Sequence, residues 1–176
     1  MTTRSLIAFA ALLPAMLLAA CSPKYNWRDY ASPDASYRVM FPAKPASFTR
    51  DIDLDGMRVP MTMTAAEIDG ATFAVGAAEA PDSARAQAAV EAMNLALLHN
   101  IGADVTRRAA AASANGSDSR ATIDVDATGK ANGQPSRLVG HFESRGKRFY
   151  QVIVMGQPKA MPQDQVEQFL SSFKPQ

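Results

Sequence analysis

His99 and His141 are the only side chains in the 176 residues that titrate near neutrality without help. His141 stands two residues before Glu143, so on an extended strand the two share a face and form a pair able in principle to move a proton. A small hydrolase built on His141 and Glu143 also needs a nucleophile, a second histidine at metal spacing or a glycine-rich phosphate loop, and the sequence displays no such pattern around them. His99 closes an alanine-rich helical stretch, where a cation interacts favourably with the helix dipole, and that position alone accounts for it. The sequence therefore assigns no catalytic residue, and the hydrolase stands as an alternative to a binding function.

Methionine thioethers are soft ligands suited to copper(I), which makes Met57, Met61 and Met63 the candidate residues of a copper-handling module. The same parity collects Val59 and Ala65, while Arg58, Pro60, Thr62 and Thr64 occupy the other, the pattern of a strand with one face in a core that methionine fills well. Pro60 cannot donate a ladder hydrogen bond and predicts that this strand lies at an edge. Asp51 to Gly56 imitates the start of a calcium loop, but Thr62 occupies the twelfth position, where Glu belongs. Ile52 and Leu54 alternate with the aspartates ahead of Asp55-Gly56, which describes an exposed hairpin instead. Asp124 to Gly129 fails as a calcium loop in the same way, with Pro135 at the twelfth place. No cofactor and no metal site are expected beyond the methionine alternative. Arg137, Arg145, Lys147 and Arg148 are expected to gather around the last hairpin, as a solvated rim that resists aggregation rather than as a site for anionic headgroups or an envelope polyanion.

The one cysteine, Cys21, ends a greasy run that begins at Leu12. Ahead of it stand Arg4, an apolar stretch from Leu6 to Leu18, and the small residues Ala19 and Ala20, which is the order of a secretory signal. A spanning helix needs about 18 or more apolar residues; this stretch is shorter and contains Pro14, so removal after export is expected. Leu18-Ala19-Ala20-Cys21 resembles the lipobox of bacterial lipoproteins. The resemblance implies a diacylglycerol on the Cys21 sulfur, cleavage that makes Cys21 the new N-terminus, and anchoring through acyl chains whose buried CH₂ groups contribute about 0.8 kcal/mol each. Ser22, where Asp would favour inner-membrane retention, implies the periplasmic face of the outer membrane.

Of 18 Lys and Arg against 17 Asp and Glu, residues 1–20 hold only Arg4, which leaves 17 of each in the exported chain. That neutrality lacks the basic excess of a phosphate-backbone binder, so no nucleic-acid partner is expected. Roughly 155 residues can bury a self-sufficient core, and one cysteine permits no disulfide within them.

The elements that must position these residues follow from period-two patterning and turn dipeptides. Residues 22–35 are polar, yet Tyr25, Trp27 and Tyr30 fall among them and predict docking of this stretch on the domain as a first edge strand. Strands are predicted at Tyr37 to Phe41, Phe48 to Leu54, Met57 to Ala66 and Ala71 to Glu79, the last three joined through Asp55-Gly56 and Asp69-Gly70. Asp82 or Ser83 caps a helix running to Gly102 with Ala86, Val90, Met93, Leu97 and Ile101 on one face. Strands return at Asp104 to Ala112, Ser119 to Thr128, Arg137 to Ser144 and Lys147 to Met155, with turns at Asn115-Gly116, Asn132-Gly133 and Arg145-Gly146. Phe149 to Met155 is apolar on both faces and reads as a central strand. A closing helix from Pro162 presents Val166, Phe169, Leu170 and Phe173 before Pro175 stops it.

Ser32 to Pro45, the single long helix, and Arg148 to Gln157 leading into Val166 to Lys174 resemble the small exported domains related in fold to PsbP, the extrinsic photosystem protein. The resemblance implies an α+β fold, a mostly antiparallel β-sheet flanked by two helices, and no catalytic signature. Residues 1–20 are thus expected to be the lipoprotein signal peptide, 21–35 the lipidated cysteine and a short tether, and 36–176 a single α+β domain. The expected function is a non-catalytic binding module held to the membrane by its N-terminus, with an envelope protein or the cell wall as partner.

Overall fold

Asp55-Gly56, Asp69-Gly70 and Asn132-Gly133 each hold both residues at positive φ, at 53° and 82°, 50° and 80°, and 51° and 77°. Glycine reaches that region without a Cβ clash, Asp and Asn tolerate it, and the resulting turn matches the right-handed twist of the strands it joins. The computed structural model describes residues 24–113 and 119–176; the leader, Cys21 and the Asn115-Gly116 turn lie outside the described residues.

The chain runs β1 (Arg28–Ala31), β2 (Tyr37–Phe41), β3 (Ala46–Leu54), β4 (Met57–Ile68), β5 (Ala71–Glu79), α1 (Ser83–Asn100), β6 (Asp104–Ser113), β7 (Arg120–Ala131), β8 (Gln134–Arg145) and β9 (Arg148–Gly156). A single 3₁₀ turn at Pro158–Ala160 then leads into α2 (Gln163–Ser172) and a two-residue β10 (Lys174–Pro175). Seven strands form an antiparallel sheet in the order β3-β4-β5-β9-β8-β7-β6, and β2 sits between β1 and β10 in a small second sheet. The mixed α+β architecture with a mostly antiparallel sheet and two helices is as expected from the sequence.

Each face of the large sheet carries a core. On one face Ala86, Ala89, Val90 and Met93 of α1 pack on Val59, Met61, Val125, Leu138, Phe142, Phe149 and Ile153. On the other, Phe169 and Val166 of α2 join Tyr37, Val39 and Phe41 of the small sheet over Phe73, Val75, Tyr150, Val152 and Val154. β9 supplies both cores, which is why its side chains are apolar at both parities and why it occupies the centre. Burying one such side chain stabilises the fold by about 1.5–3 kcal/mol. Asp82 caps α1 by accepting from the Arg85 N–H, and the helix ends where Gly102 takes φ 51° and Ala103 N–H reaches the Leu98 carbonyl.

As read from the sequence, the stretch around Trp27 docks with β1 as an edge strand, in the small sheet, where Trp27 lays an edge against Phe73. Two details differ from the sequence reading. β4 is an inner strand of the large sheet; Pro60 is tolerated because β5 covers β4 only from Thr62 onward, leaving residues 57–61 paired with β3 alone. The closing helix stops at Ser172, and Lys174–Pro175 then pairs with Arg38 and Tyr37 instead of simply ending the chain's structure.

Candidate functional site

His141 and Glu143 point from β8 to the face shared with α2, and the Asn132-Gly133 turn sets Asp124 of β7 directly opposite His141. Imidazole Nδ1 lies 2.7 Å from Asp124 Oδ1, and Nε2 lies 3.2 Å from Glu143 Oε2. The other carboxylate oxygen of Glu143, Oε1, receives Arg145 Nε at 2.6 Å and Arg120 Nε at 3.0 Å. Only 2% of the Glu143 side chain is exposed, whereas both arginines are about half exposed. The Phe173 ring, 6.3 Å from the imidazole, caps the group from the end of α2.

The charges fix the protonation of this cluster. Burial of His141 opposes its protonation, but the hydrogen bonds and negative charge of Glu143 and Asp124 overcome it and raise the pKa above the ordinary histidine value. Burial likewise pushes Glu143 up; the hydrogen bonds from His141 and Arg145 and the charges of Arg145 and Arg120 win and hold it below the ordinary glutamate value. Both imidazole nitrogens face carboxylate oxygens, an arrangement that only the doubly protonated ring satisfies as two donors. Neither nitrogen is left to take a proton from a substrate, and among the described residues no hydroxyl is hydrogen-bonded to His141. The cluster is an ion network that joins β7 to β8. The surface depressions at the Asp55-Gly56 turn beside α1, at Tyr150, at Ala110 to Ile123 and at Gly102 to Lys130 are not lined by His141 or Glu143.

The other candidate residues are placed as follows. Met61 is buried, and Met57 and Met63 pack at the margin of the core beneath α1; the Met63 sulfur also accepts from Gln151 Nε2 at 3.4 Å. Asp53 Oδ1 accepts the Gly56 N–H inside the hairpin turn, and Asp51 and Asp53 lie across from Pro60 and Arg58. Asp126 holds Arg137 bidentately at 3.0 and 2.8 Å, while Asp124 is taken by His141. Among the described residues no group of three or more His, Cys, Asp or Glu could hold a metal ion. His99 is exposed in the last turn of α1.

Arg145, Lys147 and Arg148 share the β8–β9 turn, but Arg137 does not. It pairs with Gly156 at the opposite end of the same two strands, where Asp126 and Gln163 engage it. The four residues do not gather around one hairpin because β8 is twelve residues long and sets Arg137 and Arg145 near its opposite ends. Sequence reasoning also missed Asp124 and Arg120 as members of the His141 cluster. The signal was present: counting outward from the Asn132-Gly133 turn places Asp124 across from His141 and Arg120 across from Arg145.

No protein-family model matches the chain, and no curated protein is significantly similar to it in sequence. Among the described residues no helix is long and apolar enough to cross a membrane.

Proposed function

We propose that the protein is an envelope lipoprotein, anchored through Cys21 at the periplasmic face of the outer membrane, whose domain acts as a non-catalytic binding module. The observation that carries the anchoring is the order of Arg4, the apolar stretch, Leu18-Ala19-Ala20 and Cys21. Support for a binding role comes from His141, whose two nitrogens are occupied by carboxylates, and from the methionines, which serve packing. The partner is an envelope protein or the cell wall. The finer fold reading, a PsbP-like domain, is supported by β2 ending at Phe41-Pro42, by the central β9 and by the Phe169 helix that lies on the sheet. Crosslinking in intact cells tests the binding role: a discrete adduct retained in His141→Ala is expected. Turnover of an envelope substrate that disappears in His141→Ala would establish the hydrolase instead.

A further inference from the structure

Residues 24–27 are tied to one end of the large sheet. Lys24 Nζ lies 2.7 Å from Asp69 Oδ2, Asn26 N–H donates to the Pro42 carbonyl at 2.8 Å, and Trp27 Nε1 donates to Gln165 at 3.2 Å. Tyr25 stacks on Trp27, which sets its edge against Phe73. The covalent reach of three extended residues, the number separating Lys24 from Cys21, is at most about 11 Å.

The strand register shows what else lies there. Ala71 and Arg137 both pair with Gly156, Arg137 with Thr128, and Thr128 with Asp104, so the Asp69-Gly70 and Asn132-Gly133 turns and the Gly102 end of α1 are neighbours. At this end Lys44 precedes β3, Lys130 is the last residue but one of β7 on the other side of the sheet, and Lys159 lies in the 3₁₀ turn after Gly156; all three are exposed and none is in an ion pair among the described residues. Asp104, Glu67 and Asp164 are exposed at the same end, and Asp69 is taken by Lys24.

We propose that this end of the sheet lies on the membrane, with Lys44, Lys130 and Lys159 against anionic phospholipid headgroups, and that the opposite end faces the periplasm. The orientation rests on the anchoring of Cys21 proposed above. It assigns the lipid contact to these lysines and denies it to the hairpin cations. From Gly156 to Arg148 is eight strand steps, about 26 Å, and headgroup charge is screened over about 8 Å at physiological ionic strength. Lys147 and Arg148, with the Asp55-Gly56 turn and the start of α1, are thereby left free for a partner in the periplasm.

Because acylation blocks the native thiol, single cysteines can be labelled selectively in the mature, membrane-extracted protein. Gln134→Cys and Gln157→Cys at the anchored end, and Lys147→Cys and Arg85→Cys at the far end, all exposed sites, receive a fluorophore. The labelled proteins are reconstituted in vesicles of phosphatidylethanolamine and phosphatidylglycerol carrying headgroup nitroxides. Quenching several-fold stronger at 134 and 157 than at 147 and 85 is expected, with the difference reduced when Lys44, Lys130 and Lys159 are changed to Glu. Equal or reversed quenching on a protein of acylated mass overturns the orientation and leaves the anchoring intact. A protein of unacylated mass overturns both.

Discussion

The Glu143 carboxylate is held from three sides, by His141, Arg145 and Arg120. Glu143→Ala leaves His141 without its inner acceptor, while the two half-exposed arginines turn to water; we expect a loss of about 2–3 kcal/mol in urea denaturation. The pH dependence has two limbs. Glu143 is held below its ordinary 4.5, so its contribution is present above that value and is lost as pH falls through the lowered folded value. His141 is raised above its ordinary 6.5, so its contribution is complete below that value and is lost as pH rises through the raised one. The network is therefore strongest between about pH 4.5 and 6.5. His141→Gln should remove about 1 kcal/mol of stability within that window and flatten the decline on the alkaline side; an unchanged alkaline limb would show that the histidine is not the titrating group. At this scale His141 and Glu143 stood out in the sequence by type and spacing. Asp124 and Arg120 did not, because a cross-strand neighbour becomes visible only after the register of the hairpin is counted out.

The helix α1 packs mainly through alanine, yet it buries one amide. Asn94 has no exposed surface, and neither its Oδ1 nor its Nδ2 has a hydrogen-bond partner among the described residues. An unpaired buried amide costs about 1–3 kcal/mol, so Asn94→Leu should raise the midpoint of thermal unfolding. A fall would mean that an ordered water pairs with the amide. At the C-terminal end of the helix, Lys130 N–H donates to the Ile101 carbonyl at 2.7 Å, and a Cβ on Gly129 would run into that same carbonyl. Gly129→Ala must push α1 off β7, and we expect a cost of about 1–3 kcal/mol in denaturant titration. Nine of the ten strands and both helices carried sequence signals, through alternation, Asx-Gly turns and the Asp82 cap. Lys174–Pro175 carried none: two residues show no periodicity, and a proline there reads only as the end of a helix. Pro60 misled for a related reason, since it reports a missing neighbour locally and not the place of its strand in the sheet.

Two cores back to back cover the middle strands of the large sheet, and on the face beneath α2 the His141 cluster forms an ion network at the margin of the core. The pairing of β5 with β9 joins the first half of the chain to the last, and no local pattern could announce it; the two-sided apolar character of Phe149 to Met155 implied only that β9 had neighbours on both faces. The aromatic segment at Tyr25, Trp27 and Tyr30 belongs to the fold energetically: Trp27→Ala uncovers Phe73 and should cost about 3 kcal/mol in denaturant titration. Everything proposed for the molecule as a whole, its compartment, its orientation and the surface left for a partner, depends on the chemistry of one sulfur atom. The direct test is the intact mass of the full-length protein after expression in a bacterial envelope and extraction from membranes. The account predicts a chain beginning at Cys21 that carries diacylglycerol and is lost from the membrane fraction in Cys21→Ser. A chain that keeps residues 1–20, or a free thiol on a protein that does not sediment with membranes, would contradict it.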